Sequence, residues 1–312
     1  MAFAQNSRSG LSYIVESTFG TTPAGNFTSL PYNTHSLNLS KDRVQGNEIQ
    51  PDRMLRVDRH GNIQAGGDIV VDLRDGDFDV FLESAMFGTW DATPAAAPDI
   101  LTVGTTPKYF SIEDAANDIS QYRLFTGMAV SSMAVSLAPN QMVTTTFSMV
   151  GKNGTISASA KTVDAASSNQ PFDAYSGDLS IGNVASATTS AIVTSLDFTL
   201  DNALSPTFVI GDDSTPQLEY GMASVEGTLS AYFEDAALIT RFLDEVESEL
   251  IVSVNDPTAA NEYTFTFPRI KINGADVPVD GQTGSRVISI PFVALYDATE
   301  GTNFFINRPD ST

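Results

Sequence analysis

The tightest constraint on this chain is a set of short runs in which apolar and polar residues alternate. "VTTTFSMV" (143–150) sets Val143, Thr145, Phe147 and Met149 against Thr144, Thr146 and Ser148. "EYTFTF" (262–267) sets Tyr263, Phe265 and Phe267 against Glu262, Thr264 and Thr266. Side chains on a strand alternate between faces, so a period of two predicts half-buried antiparallel strands. Turn chemistry punctuates the runs. "GKNG" (151–154) is suited to closing a hairpin, and "APNQ" (138–141) and "VDGQTG" (279–284) read as further strand connections. Residues 91–107 and 160–190 are rich in Ala, Ser, Thr and Pro with little periodicity. The second stretch reads as part linker and part edge of a following domain.

Two segments read as helix. Within 77–87, Phe78, Phe81, Leu82, Ala85 and Met86 fall on one stripe, and within 235–247 Leu238, Ile239, Phe242, Leu243 and Val246 do the same. Each begins at aspartates, which suit a helix N-terminus by capping and by the dipole. The first follows an acidic stretch with five aspartates between Asp68 and Asp79. An EF-hand loop running from Asp72 to Glu83 would place Arg74 where a ligand oxygen is required and Asp77 where the turn needs glycine. The stretch therefore reads as a strand "DIVVDL", a turn "RDGD" and a helix, with no metal site.

The same order of elements returns about 160 residues later. "GNIQAGGDI" (61–69) aligns with "GMASVEGTL" (221–229), pairing Gly61 with Gly221 and Gly67 with Gly227. Phe81-Leu82 is answered by Phe242-Leu243, and Ser36-Leu37 by Ser195-Leu196. Two tandem copies of one mainly β fold follow as the expectation, with boundaries at 1–165 and 166–312.

Little in the chain carries chemistry. There are two histidines, His35 and His60, and no cysteine, so a three-histidine or thiolate metal site is excluded. No phosphate-binding glycine loop and no Gly-x-Ser-x-Gly elbow is present. No catalytic residue and no cofactor is expected, and the reading is not an enzyme. Trp90 reads as packing beneath the first helix. The opening residues "MAFAQNSRSG" lack the apolar core of a secretion signal, and no run is long enough to span a membrane. Net charge is −22, with 17 acids against 11 bases in residues 1–165 and 21 against 5 in 166–312. Such a surface repels nucleic acid. A mixed-charge segment at 39–62 holds five of the 16 bases, Lys41, Arg43, Arg53, Arg56 and Arg59, and reads as a long loop suited to acidic surface on a neighbouring copy.

The series Ser36-Leu37, Glu48-Ile49, Asp52-Arg53, Gly61-Asn62, Gly66-Gly67-Asp68-Ile69, Leu82-Glu83, Gly88 and Trp90, with "GLSYIVESTFGTTPAG" near the start, resembles the tail tube (major tail) proteins of long-tailed, non-contractile, siphovirus-type bacteriophages. The likeness is clearest over residues 10–90. It implies a β-sandwich or open barrel with one flanking helix, here present twice, and a structural role in the virion after synthesis in the host cytoplasm. It implies rings whose inner sheets join into one barrel, trimeric and pseudo-hexameric for a duplicated chain, stacked into a tube that conducts double-stranded DNA. Partners implied are other copies, the tape measure protein, the tail terminator and baseplate or tail-tip proteins, with no membrane.

On that likeness 39–62 is the inter-ring loop, with Lys41, Arg43, Glu48, Asp52, Arg53, Arg56 and Arg59 as contacts. Its counterpart at 196–222 has no Lys or Arg. The polar strand faces carrying Asp68, Asp72, Thr144, Thr146, Thr264 and Thr266, together with Ser148 and Glu262, are the lumen lining. They offer no cation to grip phosphate. The alternative is a surface β-sandwich binding carbohydrate or calcium, which would need an aromatic platform or an oxygen cluster. A hydrolase ranks third.

Overall fold

The computed structural model describes residues 3–92, 98–190, 192–257, 261–279, 281 and 283–309. Residues 93–97 of the low-periodicity stretch, and 280 and 282 of the expected 279–284 connection, lie outside the described residues.

The chain is mainly β. In order it forms β1 (Ser9–Glu16), β2 (Thr28–Ser29), β3 (Thr34–His35), β4 (Asn38–Gln45), β5 (Asp58–Asp72), α1 (Asp79–Met86), β6 (Asp99–Thr102), β7 (Tyr109–Ala116), β8 (Gln121–Leu137), β9 (Thr144–Gly151) and β10 (Asn153–Ser157). It continues with β11 (Asp173–Asn183), β12 (Ser186–Ser190), β13 (Val193–Asp201), β14 (Ser205–Pro206), β15 (Leu218–Glu219), β16 (Ser224–Tyr232), α2 (Ala237–Leu243), β17 (Ser248–Asn255), β18 (Glu262–Ile272), β19 (Val287–Ala294) and β20 (Phe305–Arg308).

In the first half, β8 belongs to two sheets. Residues up to Met128 pair with β7 and β10, and residues from Ala129 pair with β9. The strand bends at Gly127, which has φ +65° and no room for a Cβ against Phe19 and Lys152. The buried carboxylate of Glu16 fixes the bend by accepting from Gly127 N–H (2.9 Å), Ser111 Oγ (2.7 Å) and Gly20 N–H (2.6 Å). A buried carboxylate is tolerated when its lone pairs are filled in this way.

The two sheets face each other across Phe81 of α1. Its ring stacks on Phe110 of β7 at 4.6 Å and lies 5.5 Å from Phe147 of β9. Phe78, Phe81, Leu82, Ala85 and Met86 are all fully buried, as the stripe predicts. Capping departs from expectation. The residue before the helix is Phe78, without a side-chain cap bond, and Asp79 points elsewhere.

In the second half, β11, β17 and β18 pair in that order, β18 pairs β19, β19 pairs β16, and β16 pairs β13. Phe198, Phe265, Phe267, Phe292 and Phe304 form its aromatic core. α2 is shorter than its apolar stripe. Leu238, Ile239 and Phe242 are half-buried, Leu243 is 70% exposed, and Val246 lies beyond the helix. Here an aspartate does serve the N-terminus, Asp235 Oδ1 accepting from Ala237 N–H at 2.8 Å.

Two further expectations are corrected. "GKNG" does not close a hairpin, because β10 crosses to pair with β8 at Asn153↔Thr126 rather than with β9. The chain follows the bend of β8 from one sheet to the other. "APNQ" does connect a hairpin, β8 to β9. Segment 39–62 is not a loop throughout. β4 and β5 pair from Asn38↔Gly66 to Gln45↔Asp58, and only 46–57 connects them. A solvated hairpin needs no apolar face, so alternation does not reveal it.

Candidate functional site

The two halves share one sheet surface. Beyond its bend, β8 pairs with β13 through six matched residues, from Leu137↔Leu196 to Ser132↔Asp201. The result is a continuous antiparallel sheet in the order β4 (with β3)–β5–β9–β8–β13–β16–β19–β18, eight strands wide.

Opposed residues of an antiparallel pair point to the same face. Rows can therefore be traced across the sheet. One runs Thr34, Val70, Thr146, Ala134, Thr199, Glu226, Val293, Lys271. A second runs Asp72, Thr144, Ser136, Asp197, Thr228, Pro291, and a third Asp68, Ser148, Ser132, Asp201, Ser224. Hydroxyls and an amide orient the carboxylates: Ser148 Oγ donates to Asp68 (2.7 Å), Ser136 Oγ to Asp197 (2.6 Å), and Asn33 Nδ2 to Asp72 (2.7 Å). The cation in these rows, Lys271, is engaged by Glu245 at 3.0 Å. Leu37, Ile69, Phe147, Met133, Leu200 and Leu229 face the other way and are buried.

Five of the expected face residues, Asp68, Asp72, Thr144, Thr146 and Ser148, stand together here. Glu262, Thr264 and Thr266 do not. They lie on the part of β18 paired with β17 and β20, and Thr266 is buried. Asp197, Asp201 and Glu226 were missed. The alternation "LDFTLD" (196–201) carried the signal, because it buries Leu196, Phe198 and Leu200 and exposes the residues between.

The sheet ends in two open edges. β4 pairs on one side with β5, and the run of β18 beyond Ile270, which still opposes Ser248 of β17, pairs on one side with β19. Neither has a backbone partner on its far side among the described residues.

The β4–β5 hairpin projects from the sheet with an exposed apolar tip. Ile49 is 98% exposed, Met54 69% and Leu55 54%. Of its expected contact residues, Arg43 pairs with Asp58 across the hairpin (2.6 Å) and Arg56 pairs with Asp52. Lys41, Glu48, Arg53 and Arg59 have no ion pair among the described residues and face solvent. The corresponding connection after β13 is also apolar at its tip, with Ile210 fully exposed. Its base is tied down, Asp213 O accepting from Ile63 N–H of β5 at 2.7 Å.

The acidic turn after β5 is a clasp between the halves. Tyr263 Oη donates to Asp79 Oδ1 at 2.6 Å, Arg308 pairs with both Asp79 and Asp99, and its guanidinium lies 4.3 Å over Trp90. Asn169 Nδ2 donates to Asp75 O and Asp77 Oδ1. Burial, then the Asp79 charge, pushes the Tyr263 phenol well above its ordinary range, so it stays a donor. Burial, then Asp79, also raises the Asp75 carboxyl. Among the described residues no group of three or more His, Asp or Glu is placed to hold a metal. None of the described helices is long and apolar enough to cross a membrane.

A family model described as "Phage tail tube protein" matches residues 6–294. No curated protein matches the chain.

Proposed function

The chain belongs to the phage tail tube protein family, a structural component of the virion tail, and from that premise we propose that three copies close into a ring whose inner wall is the eight-stranded sheet. The observation that carries this reading is the sheet's continuity through β8 and β13 with an unpaired edge at each end. Unpaired edges are satisfied when a sheet closes on itself. About 24 strands at a spacing of ~4.8 Å and a tilt of ~40° give a barrel roughly 50 Å across at the backbone. Six copies would give about twice that, far wider than a duplex needs.

Each chain supplies two ring positions, residues 1–165 and 166–312. The parallel partnerships support this: β1–β7–β8–β9–β5–β4 in one half, β11–β17–β18–β19–β16–β13 in the other. Gly67 and Gly227 stand at matching points. An added Cβ would strike Ser36 O at 2.5 Å in one and Asp197 O at 2.7 Å in the other. This register matches Leu37 with Phe198, two residues from the Ser36-Leu37/Ser195-Leu196 correspondence that spacing suggests.

The polar face lines the lumen. Asp68, Asp72, Asp197, Asp201 and Glu226 repel phosphate, and the charge-paired Lys271 gives it no free hold, so DNA slides without binding. The exposed hairpin tips of 46–57 and 208–210 meet the next ring, unequally because only the first carries bases. The tape measure, terminator and tail-tip proteins are the expected tail partners. The carbohydrate or calcium reading is the weaker one: Trp90 is covered by Arg308, and Asp79 and Asp77 Oδ1 accept from protein donors.

The lumen assignment is tested on phage carrying Asp68→Lys and Asp197→Lys together. Tails assemble normally, and ejection, followed by dye binding to released DNA, slows several-fold with a stronger dependence on salt. Unchanged ejection from normal tails removes the polar face from the lumen.

A further inference from the structure

We infer that the open edge at β3–β4 of one copy adds to the open edge following β18 of the next, in the register the chain already uses between β8 and β13. This rests on the ring reading above and fixes which residues meet at its seam. The internal junction serves as the template because both of its strands have counterparts at the open edges.

On one side, β8 slips by one residue against β9 between Val130 and Ser132. The run from β18 slips by one against β19 at the matching place, between Ile272↔Phe292 and Asp276↔Ser289. Aligning the two slips matches Met133 with Ala275, Ala134 with Asp276 and Val135 with Val277. On the other side, the glycine contacts match Phe198 with Leu37 and Leu200 with Leu39. Within the chain, Val135 opposes Phe198 and Met133 opposes Leu200. Between copies, Val277 therefore opposes Leu37, Asp276 opposes Asn38 and Ala275 opposes Leu39.

The backbone directions agree. Ser36 N–H donates to Asp68 O at 2.9 Å, so successive residues put the N–H and C=O of Leu37 and Leu39 on the outer side. Asp276 and Ser289 exchange both hydrogen bonds, at 3.0 and 2.8 Å, so Ala275 and Val277 face outward. Pro278 has no N–H to donate, and it falls on the inward-facing phase, where it does not interrupt the seam. Arg286 Nη2 donates to Val277 O at 3.0 Å, and that carbonyl keeps a second lone pair. Leu37 is buried, and Ala275 and Val277 pack on the core. Apolar side chains thus continue inward across the seam and polar ones outward.

The chain has no cysteine, so the register can be read by disulfide formation. Asn38 and Asp276 form a non-hydrogen-bonded pair across the seam, with Cα atoms about 4.5 Å apart, within disulfide reach. In a single chain the two lie about 34 Å apart, seven strand spacings across the sheet. An N38C/D276C variant assembled into tubes and then oxidised yields ladders of covalent multimers on non-reducing gels, reversed by reductant. Each single variant stays monomeric on the gel. N38C/P278C, displaced by two residues, cross-links at least tenfold less. Tubes that form without the N38C/D276C link, or that favour the displaced pair, overturn the seam and leave the ring standing. Failure of both the unmodified protein and the reduced variant to form any ring overturns the ring reading and the seam with it.

Discussion

Asp114 illustrates how single residues hold the first half of the chain together. It sits on β7, nearly buried, and takes Arg123 Nε at 2.8 Å and Nη2 at 2.5 Å, with His35 Nε2 at 3.6 Å. Burial alone would raise its carboxyl. The close contact of His35 and the hydrogen bonds and charge of Arg123 outweigh burial and hold it below the usual range. A carboxylate depressed in the folded state stabilises it above the unfolded pKa of about 3.9, and that contribution is lost as pH falls through the folded value. Asp114→Asn should therefore cost about 1 kcal/mol at pH 7, after allowing for screening of the partly exposed guanidinium. It should also flatten the decline in melting temperature between pH 5 and pH 2, both read by differential scanning calorimetry. A decline as steep as that of the unmodified protein would place the acid sensitivity elsewhere.

At the level of elements, strands were legible where one face is buried, and β9 follows its alternation residue by residue. The hairpin β4–β5 was not, because both faces of its outer part are solvated and its charges mimic a loop. Alternation alone groups Thr264 and Thr266 with the wrong sheet, because β18, like β8, has different partners along its length and the pattern within a strand does not reveal which partner lies beside it. The junction of β8 with β13 is a pairing between residues about 60 apart, which local pattern cannot signal. The stripe of α2 looked as strong as that of α1, yet no sheet covers Leu243. The hairpin tip yields an element-scale prediction. Ile49, Met54 and Leu55 gain up to about 1.5–3 kcal/mol each if fully covered by an adjacent ring. Replacing 47–56 with a two-residue Asn-Gly turn preserves the β4–β5 pairing and the single ring. Stacking weakens, and negative-stain images show isolated rings or short stacks in place of tubes. Long tubes from the shortened variant would remove the hairpin from the inter-ring contact.

The whole molecule is organised around a sheet that is complete on its faces and incomplete at its ends. One face is closed by the cores and α1, and the other is polar and acidic. The C-terminal strand β20 binds β6 of the first half, and Arg308 and Tyr263 clasp the turn that leads into α1, so the halves are joined at the back as well as through the sheet. Such a unit has a fixed curvature to offer its neighbours, and ring size follows from how many sheets of eight strands close. Counting the chains in one ring tests this most directly. Native mass spectrometry of rings released from tubes should give about 100 kDa, three chains of 33.3 kDa, while cryo-electron microscopy shows a barrel unbroken from one chain to the next. A ring of six chains, or sheets separated by gaps at the chain boundaries, would contradict the account.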